Sequence, residues 1–421
     1  MNLSFSQQVF AFLVLTANIT AADWPQVNGP THDRISSEII DIDWESNEPT
    51  PTWRVRCNGG FSSFVVGEGK AVTVLMNKID GDLREVVVAL DQATGKALWN
   101  TALGKAGYDR GGDRGTSDNN GGDGPRATAV ISEGRVFVYG AQFDLYCLDA
   151  STGSLIWKKD ILNDYKGKMI RWQNAMSPLV VNDRVLVSGG GKGQTLLAFN
   201  VDDGSFSWKS GNGEVSHATP VLATIDDVQQ AIFVVRKEVV SVDPETGKEL
   251  WTYPFSIGGS IAASPVVSGN LIHVTAGYGT GAAVIEVNRK GKKWDVKEHW
   301  RKRGNGEVAS HWSTPVAHDG HLYGLYSYKE FGSGDLKCLE MMTGKVKWRK
   351  KGFGQGQLVM GDGKLFVLSD YGRLSVVEPT PEHYTEIAEA DVIEGKCWAT
   401  PAISDGHLFI RSTISGISLE L

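Results

Sequence analysis

Two patterns of apolar and polar positions recur along this chain, and together they predict its elements. The first is an apolar stretch, an acidic residue, a Thr-Gly or Asp-Gly pair, and then a Trp. It reads A-L-D-Q-A-T-G-K-A-L-W up to Trp99, C-L-D-A-S-T-G-S-L-I-W up to Trp157 and F-N-V-D-D-G-S-F-S-W up to Trp208. It returns as S-V-D-P-E-T-G-K-E-L-W up to Trp251 and C-L-E-M-M-T-G-K-V-K-W up to Trp348, with a degenerate copy ending at Trp300. Successive Trp residues lie 58, 51, 43, 49 and 48 positions apart, the size of a four-stranded propeller blade. Asp or Asn at a strand end bonds its own following backbone and starts a turn. Gly supplies the positive φ of a tight hairpin. The flat Trp beyond it covers the seam to a neighbouring blade while its N–H finds a carbonyl.

The second pattern precedes each of these by roughly 30 residues and is a strand, a two-residue turn and a second strand. It reads S-P-L-V-V-N-D-R-V-L-V from Ser177, T-P-V-L from Thr219, S-P-V-V-S-G-N-L-I-H-V from Ser264, T-P-V-A-H-D-G-H-L-Y from Thr314 and T-P-A-I-S-D-G-H-L-F-I from Thr400. Variants without Pro start at Ser63, Thr128 and Gln357. Pro at a first strand position removes no ladder bond. Counting this pattern gives eight units, beginning near Phe61, Arg126, Ala175, His217, Ala262, Trp312, Gln355 and Trp398. The last unit stops at Leu421 after three strands, and P-T-W-R-V-R at 51–56 has the character of its missing fourth. The expected fold is therefore all-β: a single eight-bladed β-propeller of four-stranded antiparallel blades, its ring closed by an N-terminal strand completing the C-terminal blade. Such closure leaves no open sheet edge.

Composition agrees. The chain has 50 Gly and 13 Trp, 41% hydrophobic and 22% charged residues, which suits many tight turns around a large core and argues against global disorder. A net charge of −7 offers no basic stripe and excludes nucleic acid as the main partner. Residues 9–15, V-F-A-F-L-V-L, followed by T-A-A at 20–22 before Asp23, read as a secretory signal, although residues 1–8 carry no Lys or Arg. A buried N-terminal strand is the other reading of that run. The expected organisation is a signal peptide over 1–22 and a propeller over 23–421, placing the protein in the periplasm or outside the cell. No stretch reaches the roughly 20 apolar residues of a transmembrane helix.

The phrase A-x-D-x-x-T-G-K-x-x-W at 89–99 resembles the tryptophan-docking motif of quinoprotein alcohol dehydrogenases and their propeller relatives, a superfamily shared by the barrel-assembly lipoprotein of bacterial outer membranes. D-W-P-Q-x-x-G-P at 23–30 and G-D-G-P-R-A-T at 122–128 resemble exported bacterial proteins named for pyrroloquinoline-quinone-like repeats. The resemblance covers nearly all of 23–421 and speaks for fold rather than activity. Its enzyme members imply pyrroloquinoline quinone (PQQ) in the channel, calcium beside it, and hydride transfer from a substrate hydroxyl. Against that, the chain has no adjacent cysteines and no Cys-x-x-Cys-His for an attached haem, and their calcium-binding Glu and Asn and their catalytic Asp find no matching motif here.

Candidate chemistry gathers where the innermost strands open. Phe61, Arg126, His217, Trp312, Gln355 and Trp398, with Ala175 and Ala262, are expected to converge on the axis. Asn174, Ser310 and His311 belong to the same rim. A flat ligand would stack on Trp312 or Trp398, and Arg126 would answer a carboxylate bidentately. The bland reading is that these side chains plug a wet channel and bond one another. In the Gly-rich stretch 107–124, Asp109, Asp113, Asp118 and Asp123 offer oxygen ligands to calcium, but the spacing is not that of an EF-hand and the bidentate Glu is missing. An insertion or a lid is the alternative. Cys147 and Cys338 fall at equivalent third-strand positions on opposite sides of the ring and are expected to be reduced. Cys57 and Cys397 flank the closing blade, where a disulfide would latch the ring. The scattered histidines show no metal-ligand spacing.

Two functional classes follow. One is a non-catalytic exported propeller that binds a protein partner or small ligand at its funnel, with no cofactor firmly expected. The other is a PQQ-dependent alcohol or sugar dehydrogenase using Ca2+.

Overall fold

The structure is a computed structural model and describes residues 22–40, 42, 44, 49–106, 124–259, 261–326 and 334–421. Eight antiparallel sheets make up nearly all of it, and among the described residues the helix is a single turn, Ile161–Asp164. Blade 1 runs Val65–Gly67, Lys70–Ile79, Asp82–Asp91 and Ala97–Lys105, and six further four-stranded units follow in chain order from inside to outside. In the eighth, Ala402–Ser404, His407–Arg411 and Ser415–Glu420 are completed by β2, Pro51–Arg56, which pairs antiparallel with Ser415–Glu420 and sets Trp53 opposite Ser418. The anticipated closure and blade count are both present. One addition was not foreseen: β1, Ile35–Ser36, lies parallel to Gln357–Gly361 as a fifth strand on the inner edge of blade 7.

The middle strands of each blade are packed on both faces by neighbouring blades, so they read as continuous apolar runs. Arg135–Tyr139 and Asp144–Asp149 of blade 2 are buried throughout apart from their terminal residues, whereas the outer strand Leu155–Asp160 buries mainly Trp157 and is exposed at Leu155, Ile156 and Lys158. Six of the eight first hairpins hold both central residues at positive φ, as at Asp405 (54°) and Gly406 (68°), which matches the right-handed twist of the flanking strands.

The Thr-Gly turn has a second function beyond its dihedral. Trp99 of blade 1 donates its indole N–H to Ala150 O of blade 2 at 2.9 Å, and its ring lies over Gly153, where a Cβ would approach to 2.5 Å. Trp53 does the same to Gln92 O and Gly95 across the closing seam, as do Trp157 to Val201 O and Gly204, Trp208 to Pro244 O and Gly247, and Trp300 to Met341 O and Gly344. Trp251 departs from this: blade 5 carries the degenerate phrase, and its N–H turns back to Gln230 Oε1 at 2.7 Å within its own blade. Arg411, fully buried in blade 8, adds to the closing seam by donating to Ser62 O, Thr73 Oγ1, Val74 O and Gly59 O of blade 1 and its leading segment.

The four cysteines are separate thiols, all buried. The latch between Cys57 and Cys397 is not formed: Cys57 extends the outermost strand of blade 8, with its N–H on Ile414 O, while Cys397 bonds across to Asp370 O of blade 7. Burial raises all four thiol pKa values, to about 12 at Cys147 and about 11 at Cys338, which leaves them as small packing residues.

Candidate functional site: a blind funnel on the propeller axis

The residue that opens each innermost strand is a Ser or Thr in seven blades, and the structure gives the reason. Thr400 N–H donates to Ser63 Oγ (2.8 Å), Ser63 N–H to Thr128 Oγ1 (2.9 Å), Thr128 N–H to Ser177 Oγ (2.9 Å) and Ser177 N–H to Thr219 Oγ1 (3.0 Å). Ser264 N–H donates to Thr314 Oγ1 in the same way (2.9 Å). Each hydroxyl thus satisfies the first backbone donor of the preceding blade, which has no ladder partner at the axis. These side chains form a polar girdle around a cavity of about 270 Å³.

The floor of that cavity is the N-terminal segment 23–36. Trp24 pairs with Val66, Pro25 O accepts from Ile131 N–H, and Asn28 Nδ2 donates to Ser264 Oγ at 3.1 Å. The segment then crosses to blade 7, where Ile35 pairs with Met360. The contacts with Val66, Ile131 and Met360 fall toward the far ends of the innermost strands, so among the described residues the channel is stoppered on one side and open on the other. Arg34, fully buried, stands in the stopper. Its Nε donates to Asn28 Oδ1 (3.0 Å), and its Nη1 to Gln357 Oε1 (2.8 Å) and Thr314 O (3.2 Å). Desolvation by burial pulls its pKa down to about 9.

Above the girdle an arc of rings surrounds the opening. Phe61 and Trp398 are 4.6 Å apart between ring centroids, Trp398 and Trp312 4.5 Å, Trp312 and His311 4.5 Å, and His311 and Tyr278 4.9 Å. Trp172 continues the arc at 6.0 Å from Tyr278 and 6.5 Å from His217. Arg171 lies over Trp172 at 4.4 Å, and Arg126 Nη1 donates to Trp172 O at 2.6 Å. His217 bonds to Arg171 O at 3.0 Å, and burial together with the charge of Arg126 lowers its pKa to about 4, so the ring is neutral at ordinary pH.

Of the expected site residues, Phe61, Arg126, His217, Trp312 and Trp398 stand on the cavity wall, with Ala175, Ala262 and His311. Asn174 and Gln355 are buried behind it. The Asn174 amide ties Tyr139 O and Met176 O, and Gln355 offers its carbonyl to Trp312 Nε1 and its N–H to Asp370 Oδ2. Ser310 likewise bonds Ser313 O. In blade 7 the wall residue is Gln357, which stands where the other seven blades carry the girdle Ser or Thr, and Gln355 two positions before it is not on the wall. Sequence reasoning missed Arg34 and Val27 of the stopper, Tyr278 from a hairpin, and Arg171 and Trp172 from the connection between blades 2 and 3. The recurrent Ser or Thr before Pro was the visible signal for the girdle, but nothing local marks Arg34. Asp109, Asp113, Asp118 and Asp123 lie outside the described residues.

Calcium takes oxygen ligands, carboxylates foremost. Among the described residues the wall carries no Asp or Glu, and no group of three or more His, Cys, Asp or Glu is placed to hold a metal. The described wall therefore does not fit a calcium–quinone pair. Its charge is instead the sum of Arg34, Arg126 and Arg171, on a chain whose net charge is −7.

Comparison with known proteins places this geometry among relatives. The family model described as outer membrane protein assembly factor BamB matches residues 83–350. The outer membrane protein assembly factor BamB of Shewanella oneidensis is 23% identical over 262 residues, covering 60% of this chain and 64% of that protein's length. Among solved structures, quinohemoprotein alcohol dehydrogenase from Comamonas testosteroni superposes with a TM-score of 0.65 at 14% identity, covering 94% of this chain and 80% of that one. BamB from Moraxella catarrhalis superposes with 0.61 at 14% identity, covering 89% and 98%. At such identities the structural likeness speaks for fold.

Proposed function

The chain belongs to the PQQ-like β-propeller family whose model is described as outer membrane protein assembly factor BamB, and from that premise we propose that it is an exported, non-catalytic propeller binding a protein partner or small ligand at its axial funnel. What carries the reading is the make-up of the described wall: rings, hydroxyls and guanidinium groups, with no carboxylate among the described residues. Such a surface offers stacking and hydrogen-bond donors. Oxidation of an alcohol needs a base for the hydroxyl proton, and His217, with its pKa near 4, is a weak one at neutral pH. Export rests on the apolar run and small residues ahead of Asp23. Among the described residues no helix is long and apolar enough to cross a membrane.

The dehydrogenase reading is kept open by the fold shared with the quinohemoprotein enzyme, in which case PQQ with Ca2+ would be the cofactor. One experiment decides between them. The full chain is incubated with PQQ and Ca2+ and dye reduction is followed over a panel of alcohols and sugars, alongside cross-linking capture from envelope extracts. Silence in the dye assay, with a captured protein or ligand lost in Trp312→Ala, supports the binding reading. Saturable quinone-dependent turnover abolished by Trp312→Ala overturns it.

A further inference from the structure

The wall of the funnel is supplied with donors and short of acceptors. Arg34 spends Nε and Nη1 on Asn28, Thr314 and Gln357, but among the described residues its Nη2 meets no acceptor, and the group borders the cavity from the floor. Trp398 Nε1, in the aromatic arc, is buried and has no acceptor among the described residues. The girdle hydroxyls of Ser63, Thr128, Ser177 and Thr219 each accept a backbone N–H from the neighbouring blade, so each keeps its own proton to give. Arg126 and Arg171 stand above them, and among the described residues no carboxylate lines the wall. A guanidinium only 3% exposed, without a carboxylate partner among the described residues, is expensive to hold in a protein interior. A ligand that brings a negative charge recovers that energy.

Resting on the reading of the funnel as a binding site, we propose that its ligand carries an oxyanion, a carboxylate or sulfate group. That group is seated on the axis against Arg34 Nη2 and the girdle hydroxyls, and any ring the ligand bears lies above it against Trp312 and Trp398. Arg34 comes from the stopper and not from any blade, so the anion and the N-terminal segment hold each other in place. The chemistry is shared by aromatic acids, acidic sugars and inorganic oxyanions, which the test must separate.

The full chain is titrated calorimetrically, with Trp fluorescence as a second signal, using 2-naphthoate against 2-naphthol, glucuronate against glucose, and sulfate alone. Each acid that fits should bind about 10-fold or more tightly than its neutral partner, because a hydrogen bond to a charged group is worth about that factor or more. Preference for naphthoate assigns an aromatic acid, preference for glucuronate an acidic sugar, and equal binding of sulfate an inorganic oxyanion. Arg34→Gln should weaken the preferred acid by about 10-fold or more while leaving its neutral partner unchanged. Should that variant fail to fold, Arg171→Gln on the exposed rim and the acid–neutral comparison on the unaltered chain still decide. Neutral partners binding as well as acids, no acid binding at about 1 mM (a contact worth under about 4 kcal/mol), or a folded Arg34→Gln with undiminished affinity overturns the oxyanion site. Loss of the oxyanion site with a partner still captured through Trp312 leaves the scaffold reading standing, whereas quinone-dependent turnover sinks the scaffold whichever acids bind.

Discussion

Gly134 and Gly153 share blade 2 and the same φ of +73°, yet a methyl group meets opposite surroundings at the two sites. At Gly134 nothing lies within 4 Å of an added Cβ, whereas at Gly153 the Trp99 ring lies at 2.5 Å. An L-residue in the left-handed region costs about 1–2 kcal/mol, partly offset because Ala orders the unfolded chain by about 0.4–1 kcal/mol. Gly134→Ala should therefore destabilise by about 1 kcal/mol. Gly153→Ala carries the same loss plus roughly 1–3 kcal/mol for overpacking, since relief requires Trp99 to leave its place and its bond to Ala150 O. In a chain of about 400 residues unfolding as one unit, each kcal/mol moves Tm by about 1 °C, so the pair should separate by about 1–3 °C. Denaturant unfolding followed by fluorescence and calorimetry measures both. The excess at Gly153 should shrink in a Trp99→Ala background to what Thr101 Oγ1, 2.7 Å from the added Cβ, contributes. Equal losses at the two glycines, or an excess undiminished without Trp99, would refute the claim that the Thr-Gly turn is a seat for the neighbouring Trp.

Other expectations can be checked alongside. Trp53→Ala, which opens the closing seam at a ring only 7% exposed, should lose about 3–5 kcal/mol, far more than Leu98→Ala on the exposed face of an outer strand; parity between them would mean β2 does not close the ring. His32 and His217 are held neutral by burial, with pKa values lowered to about 4, and His273 to about 3. The unfolded chain binds protons at these rings from pH 6.5 downward, so stability is full above that pH. It should fall by about 1.4 kcal/mol per pH unit per ring toward pH 4; a Tm unchanged between pH 7 and 4.5 would contradict this. All four thiols should resist a thiol reagent until the chain unfolds, and a reductant should leave Tm unchanged, because each is buried and unpaired with another cysteine.

How much of this was legible beforehand differs by element. The blades were, because each is built from neighbours in sequence: the Asp-Gly hairpins, the alternation around Trp157 and the Thr-Gly seats recur with a fixed period, and period is a local property. The closing strand at 51–56 was legible too, since a repeat that ends one strand short announces what it lacks. The inward-facing residues Phe61, Arg126, His217, Trp312 and Trp398 could be placed by counting back from the strand-opening Ser or Thr, with or without a following Pro. The same count failed in blade 7, where Gln357 stands in place of that Ser or Thr and is itself the wall residue. The stopper was not legible. Arg34 meets Thr314 and Gln357, 280 and 323 residues away, and nothing in its own segment signals that it will stand on the axis. Nor could sequence decide between a disulfide latch and separate thiols at Cys57 and Cys397, because that depends on which side of a blade each residue faces. Local chemistry determined the blades, and long-range geometry decided what the ring encloses.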